Sequence, residues 1–201
     1  MQLTIATAST LLASILCCAC APLPMRVYVA DAAQSDLIYS SCSFNTHIPI
    51  AVKLHAGPVL ATLSLSKNDD RPYVQLQLDI PEGVTLVFQD DVVQLRTGSP
   101  DTLSRARFPS VSLVDTPILN NYRTETQSYQ VPVQSPLVGG RLQMGAKTSP
   151  RHFWLATYVE IASANEVTVA LPSFRVNEVS SVLAPVRFRA KTVLGVALVN
   201  C

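Results

Sequence analysis

Val74-Gln75-Leu76-Gln77-Leu78-Asp79-Ile80 places every apolar side chain at an even position and every polar one at an odd position. A β-strand turns successive side chains to opposite faces. The spacing therefore predicts a strand with Val74, Leu76, Leu78 and Ile80 in a core and Gln75, Gln77 and Asp79 toward water. Pro81-Glu82-Gly83 reads as a turn, and residues 84–88 as the partner strand that returns beside it.

The same period of two extends outward from this stretch. Residues 49–54 and 59–65 flank a turn at Gly57-Pro58, and residues 92–96 form a short strand after Asp90-Asp91. Residues 129–133 and 137–144 follow, the second folded at a Gly139-Gly140 hairpin turn. Residues 152–161 make the longest strand. Phe153, Leu155, Val159 and Ile161 lie on one of its faces, and Trp154, Tyr158 and Glu160 on the other. Residues 167–171 pair with it across 162–165. Residues 174–176, 186–190 and 193–199 complete the set, the last nearly continuous in apolar residues, as in a strand buried on both faces. No window carries an amphipathic helix, and the 14 prolines fall mostly between these segments. The expected fold is all-β: a two-sheet antiparallel β-sandwich, Ig-like, of about nine to eleven short strands. Residues 97–128 are the least regular stretch, broken by Pro100, Pro109 and Pro117. They read as a polar excursion or an edge crossover, and Asn120, Asn121, Tyr122 and Arg123 within them are a candidate binding surface.

Fifteen Lys plus Arg against fourteen Asp plus Glu leave a formal net charge of +1. That balance argues against a nucleic-acid partner, which calls for a basic excess. Local basic spots occur at Arg105/Arg107, Arg141/Lys147/Arg151 and Arg187/Arg189/Lys191. They read as solvated strand faces or as contacts to an anionic surface such as membrane lipid.

At the amino terminus an apolar run, residues 11–16, leads into Cys17-Cys18-Ala19-Cys20 and then Ala21-Pro22-Leu23-Pro24. The run is shorter than the roughly 20 apolar residues that span a bilayer. The segment resembles the lipobox of bacterial lipoproteins, with a small residue, Ala19, before the cysteine to be acylated. It departs from that pattern in two ways: Cys17 stands where a leucine is expected, and no Lys or Arg precedes Arg26. The resemblance implies a signal peptide over residues 1–19, a diacylglyceryl thioether on Cys20 (Cys18 being the other choice) and a tether over 20–36. A single domain would then occupy residues 37–201. It implies membrane attachment through the lipid and, with Ala21 after the cysteine, an outer-membrane location facing the periplasm. Ordinary secretion and a retained anchor are the other addresses. Removing the signal and acylating Cys20 leaves Cys42 and Cys201, which an oxidising compartment joins as a disulfide, two unpaired buried thiols being the alternative.

No Gly-x-Ser-x-Gly elbow, His-Glu-x-x-His, phosphate-binding glycine loop or EF-hand pattern is present. No catalytic residue, metal ligand or cofactor is assigned. His47 and His55 lie near Cys42 without zinc spacing. Asp69-Asp70 and Asp90-Asp91 are adjacent pairs, and neighbours on a strand point apart, so each reads as turn capping. Trp154 and Tyr158 share a strand parity and form a candidate stacking platform for sugar or protein. Residues 171–188 resemble small exported β-sandwich proteins of unknown function, which bears on fold alone. The functional expectation is an envelope-tethered, non-enzymatic binding or assembly lipoprotein that contacts another envelope protein, lipid or polysaccharide. Its rivals are an exported hydrolase using Asp90 or Asp91 with His152, and a small lipid carrier.

Overall fold

The computed structural model describes residues 23–31, 36–40, 48–68, 71–98, 101–114, 118–120, 123–125, 128–144, 147–161 and 164–195. In chain order the strands are β1 Leu23–Ala30, β2 Asp36–Tyr39, β3 Pro49–Ala56, β4 Val59–Asn68, β5 Arg71–Ile80, β6 Thr85–Phe88 and β7 Val92–Gly98. There follow β8 Asp101–Arg107, β9 Val111–Val114, β10 Ile118–Asn120, β11 Arg123–Glu125, β12 Ser128–Val131 and β13 Leu137–Val138. The set closes with β14 Arg141–Met144, β15 Lys147–Tyr158, β16 Glu166–Ala170, β17 Phe174–Val176, β18 Val179–Ser181 and β19 Val186–Gly195. No helix occurs among the described residues.

The fold is all-β and sandwich-like. One sheet runs β1-β19-β16-β7-β8. A larger one follows the seven-strand path β12-β9-β15-β5-β4-β3-β2, with β14 attached to β15. A four-stranded sheet, β13-β6-β17-β18, and the separate β10-β11 hairpin complete the set. Three sheets and a hairpin thus stand where two sheets were expected, and the nineteen described strands exceed the expected nine to eleven. The excess has two sources. Short segments between prolines still pair: β8 and β9 occupy much of 97–128, which was expected to be irregular. The expected tether, 20–36, also contains β1, which pairs along its whole length with β19.

The alternating stretch behaves as its spacing requires. Val74, Leu76, Leu78 and Ile80 of β5 are wholly buried. Burying each such side chain contributes about 1.5–3 kcal/mol before conformational entropy is subtracted. They join Ala61, Leu63 and Leu65 of β4, Phe153 and Leu155 of β15, and Val167, Val169, Val186 and Phe188 from the five-stranded sheet in one core. Phe88 and Phe174 meet edge-on within it, their ring centroids 5.7 Å apart.

Three expected pairings differ. Residues 84–88 do not return beside β5; β6 leaves for the four-stranded sheet, where it pairs with β13 and β17. The flanks of β5 are taken instead by β4 and β15. Gly139-Gly140 is not a hairpin turn, because β13 pairs with β6 while β14 pairs with β15. A Cβ added at Gly139 would land on the Pro81 carbonyl oxygen, so this glycine permits a close backbone crossing at the β5–β6 turn. Third, β16 crosses to the five-stranded sheet, between β19 and β7, rather than pairing with β15. Residues 186–195 form the single strand β19 in place of two strands, and residues 196–199 lie outside the described residues.

Candidate binding surface

Antiparallel partners point the same way, so register converts the odd positions of β5 into one face of the larger sheet. Gln77 pairs with Trp154 on one side and Thr62 on the other. Thr62 pairs with Lys53, and Lys53 with Asp36. On the far side Trp154 pairs with Ser112, and Ser112 with Gln130. Each of the seven strands therefore sets one polar or aromatic side chain into a single row: Asp36, Lys53, Thr62, Gln77, Trp154, Ser112, Gln130. At roughly 4.8 Å between strands this row is about 29 Å long.

The adjacent row places Asp79 opposite His152. Their side chains meet at 2.6 Å between His152 Nδ1 and Asp79 Oδ1, and Gln77 Nε2 donates to the same oxygen at 2.9 Å. At the end of β15, Tyr158 and Tyr73 lie with ring centroids 5.1 Å apart, and the Arg71 guanidinium sits 4.5 Å from the Tyr158 ring centre. Burial first, and the neighbouring Tyr158 second, raise the Tyr73 phenol above the ordinary tyrosine range. Tyr73 is thus a neutral phenol at neutral pH, able to donate and accept. The arrangement offers flat aromatic faces, amides and hydroxyls at strand spacing, with a carboxylate held in place by two donors.

Trp154 and Tyr158 lie on this face as their parity predicted, and His152 joins them. Asn120 and Arg123 pair with each other in the β10-β11 hairpin. Asn121 and Tyr122 lie outside the described residues, as do Cys18, Cys20, Cys42, Cys201, His47, Asp69 and Asp70. His55 contacts Asp36 at 3.2 Å. Asp90 and Asp91 are engaged elsewhere than with His152. Asp90 accepts the Val92 amide at 2.9 Å and Asp91 binds Arg107 at 2.9 Å, so both carboxylates serve the β6–β7 connection. Tyr73, Gln77, Asp79 and Thr62 were not singled out as site residues. Their parity was visible, but which strand lies beside which was not.

A separate open groove of about 810 Å³ lies beside the four-stranded sheet, lined in part by Thr85, Val87, Pro136, Arg175 and Glu178. None of the residues singled out from sequence lines it. Among the described residues no cluster of three or more His, Cys, Asp or Glu forms a metal site. No protein-family model, curated protein or solved structure matches the chain.

Proposed function

We propose that the protein is a lipid-tethered, non-enzymatic binding module of the cell envelope that takes an extended polysaccharide across the outer face of its larger sheet. The seven-strand row through Gln77 and Trp154 carries this reading. Sugar rings present apolar C–H faces and rims of hydroxyls. An aromatic face complements the first, and side-chain amides, hydroxyls and carboxylates complement the second. A small ligand is usually held in a concave site, whereas a polymer can gather many weak contacts along an open one. The lipobox-like end supports attachment through Cys20 in the outer membrane, facing the periplasm, and that compartment favours a Cys42–Cys201 disulfide. An Ig-like form of the sandwich belongs to the same proposal.

Sedimentation with insoluble peptidoglycan sacculi tests the reading. The wild-type protein is expected in the pellet, and Trp154→Ala is expected to lower its affinity about tenfold, as losing roughly 1.4 kcal/mol of stacking would. Wild-type protein left in the supernatant, or a variant that pellets equally well, would overturn it. Mass measurement of the envelope-extracted protein, before and after thiol reduction, tests the Cys20 adduct and the Cys42–Cys201 bridge separately.

A further inference from the structure

Two basic spots far apart in sequence share one face of the five-stranded sheet. Arg187, Arg189 and Lys191 have one parity on β19, with Val186 and Phe188 of the other parity in the core. Thr168 of β16 pairs with Arg187 on one side and Arg96 of β7 on the other. Arg96 pairs with Leu103 of β8, and Arg105 and Arg107 follow on the same parity. Six cations therefore occupy this outer face.

Carboxylates share this face: Glu166 on the central strand β16, and the others toward its margins. Asp31, just beyond β1, accepts from Arg187 at 2.7 Å. Glu166 lies 3.5–3.6 Å from Arg189 and Arg187. Asp91 binds Arg107, and Asp101 has the corner register position opposite Gly98. Six cations against four carboxylates leave a positive excess on this face, although the whole chain carries only +1. Along the row from Arg187 through Thr168 and Arg96 to Leu103 no register position is acidic. Leu103, between the arginines, is half exposed.

We propose that this face docks flat on an anionic phospholipid membrane. Spread guanidiniums match a plane of phosphate headgroups, and an exposed leucine among them can enter the acyl boundary. β1 is the edge strand of this sheet and begins just after Cys20. A lipid on Cys20 would hold the sheet edge at the bilayer; only this part of the argument rests on the lipoprotein reading. The opposite outer face, with Trp154, would then point away from the membrane toward the polymer.

Flotation of the full chain with phosphatidylcholine vesicles, with or without phosphatidylglycerol, tests the proposal. The amino-terminal segment is common to every arm, so differences between arms report the charged face. Binding is expected to be several-fold greater on anionic vesicles and to fall with salt. Arg105→Glu should weaken it by more than the roughly fivefold expected per charge, and Glu166→Gln should strengthen it about fivefold. A parent-like melting temperature for the second variant separates its gain from exposure of the core. Equal binding to both vesicle types, or charge variants that leave anionic binding unchanged while melting like the parent, would overturn the proposal. So would salt-sensitive capture of a DNA duplex with no vesicle binding. Membrane docking fails or stands here independently of the Cys20 adduct, which mass measurement reads.

Discussion

Tyr28 lies on β1 with its ring in the core, and burial raises its phenol above the ordinary value of 10.0, partly offset by Arg26. The unfolded chain ionises this tyrosine near pH 10, while the folded chain holds its proton to higher pH. Below pH 10 the two states carry the same number of protons at this site. Between 10 and the raised value the folded state binds more, so stability falls as pH rises. Thermal melting is expected to drop above pH 10, and Tyr28→Phe should make that drop shallower. An unchanged slope in the variant would deny that the side chain is buried as described. Arg187 shows the opposite balance on the surface: the hydrogen bond it donates to Asp31, then the charges of Asp31 and Glu166, hold it protonated above its already high range.

The β17–β18 turn puts two non-glycine residues in the left-handed region, Asn177 at φ 47° and Glu178 at φ 68°. Both central residues positive is the geometry that suits the twist of a two-residue hairpin. Asn177 compensates by bonding: its side-chain oxygen accepts the Thr85 amide at 2.9 Å, and its own amide donates to the Thr85 carbonyl. Among the described residues Glu178 makes no such hydrogen bond, so Glu178→Gly should raise stability by about 0.5–1 kcal/mol. In a domain of this size that is a rise of about 1–4 °C in melting temperature. A fall would show that the glutamate side chain contributes more than its backbone conformation costs. Strands such as β5 were legible because alternation depends only on the residues of the strand itself. The pairing of β6 was not, since Pro81-Glu82-Gly83 fits a hairpin and a sheet-to-sheet turn equally well. Gly139-Gly140 misled for the same reason: hairpin geometry and a close crossing both call for glycine.

At the scale of the whole molecule, the two outer faces differ in chemistry. One carries Trp154, Tyr158 and a seven-strand row of polar groups; the other carries six cations. Neither face could be read from the chain, because each is assembled by register among strands distant in sequence. Trp154 and Tyr158 were visible as a pair, but Gln77 and Ser112 become their neighbours only when β5 and β9 flank β15. Arg96 likewise joins Arg187 only because β16 crosses between sheets. The single tryptophan of the chain lies in the proposed polysaccharide site, so its emission reports that face alone. Titrating soluble peptidoglycan fragments while following this fluorescence is the most direct measurement. A saturable change in emission is expected, shifted to higher ligand concentration by Gln77→Ala and unaffected by Arg105→Glu. Emission that stays constant while the fragments demonstrably bind would place the ligand elsewhere and contradict the account.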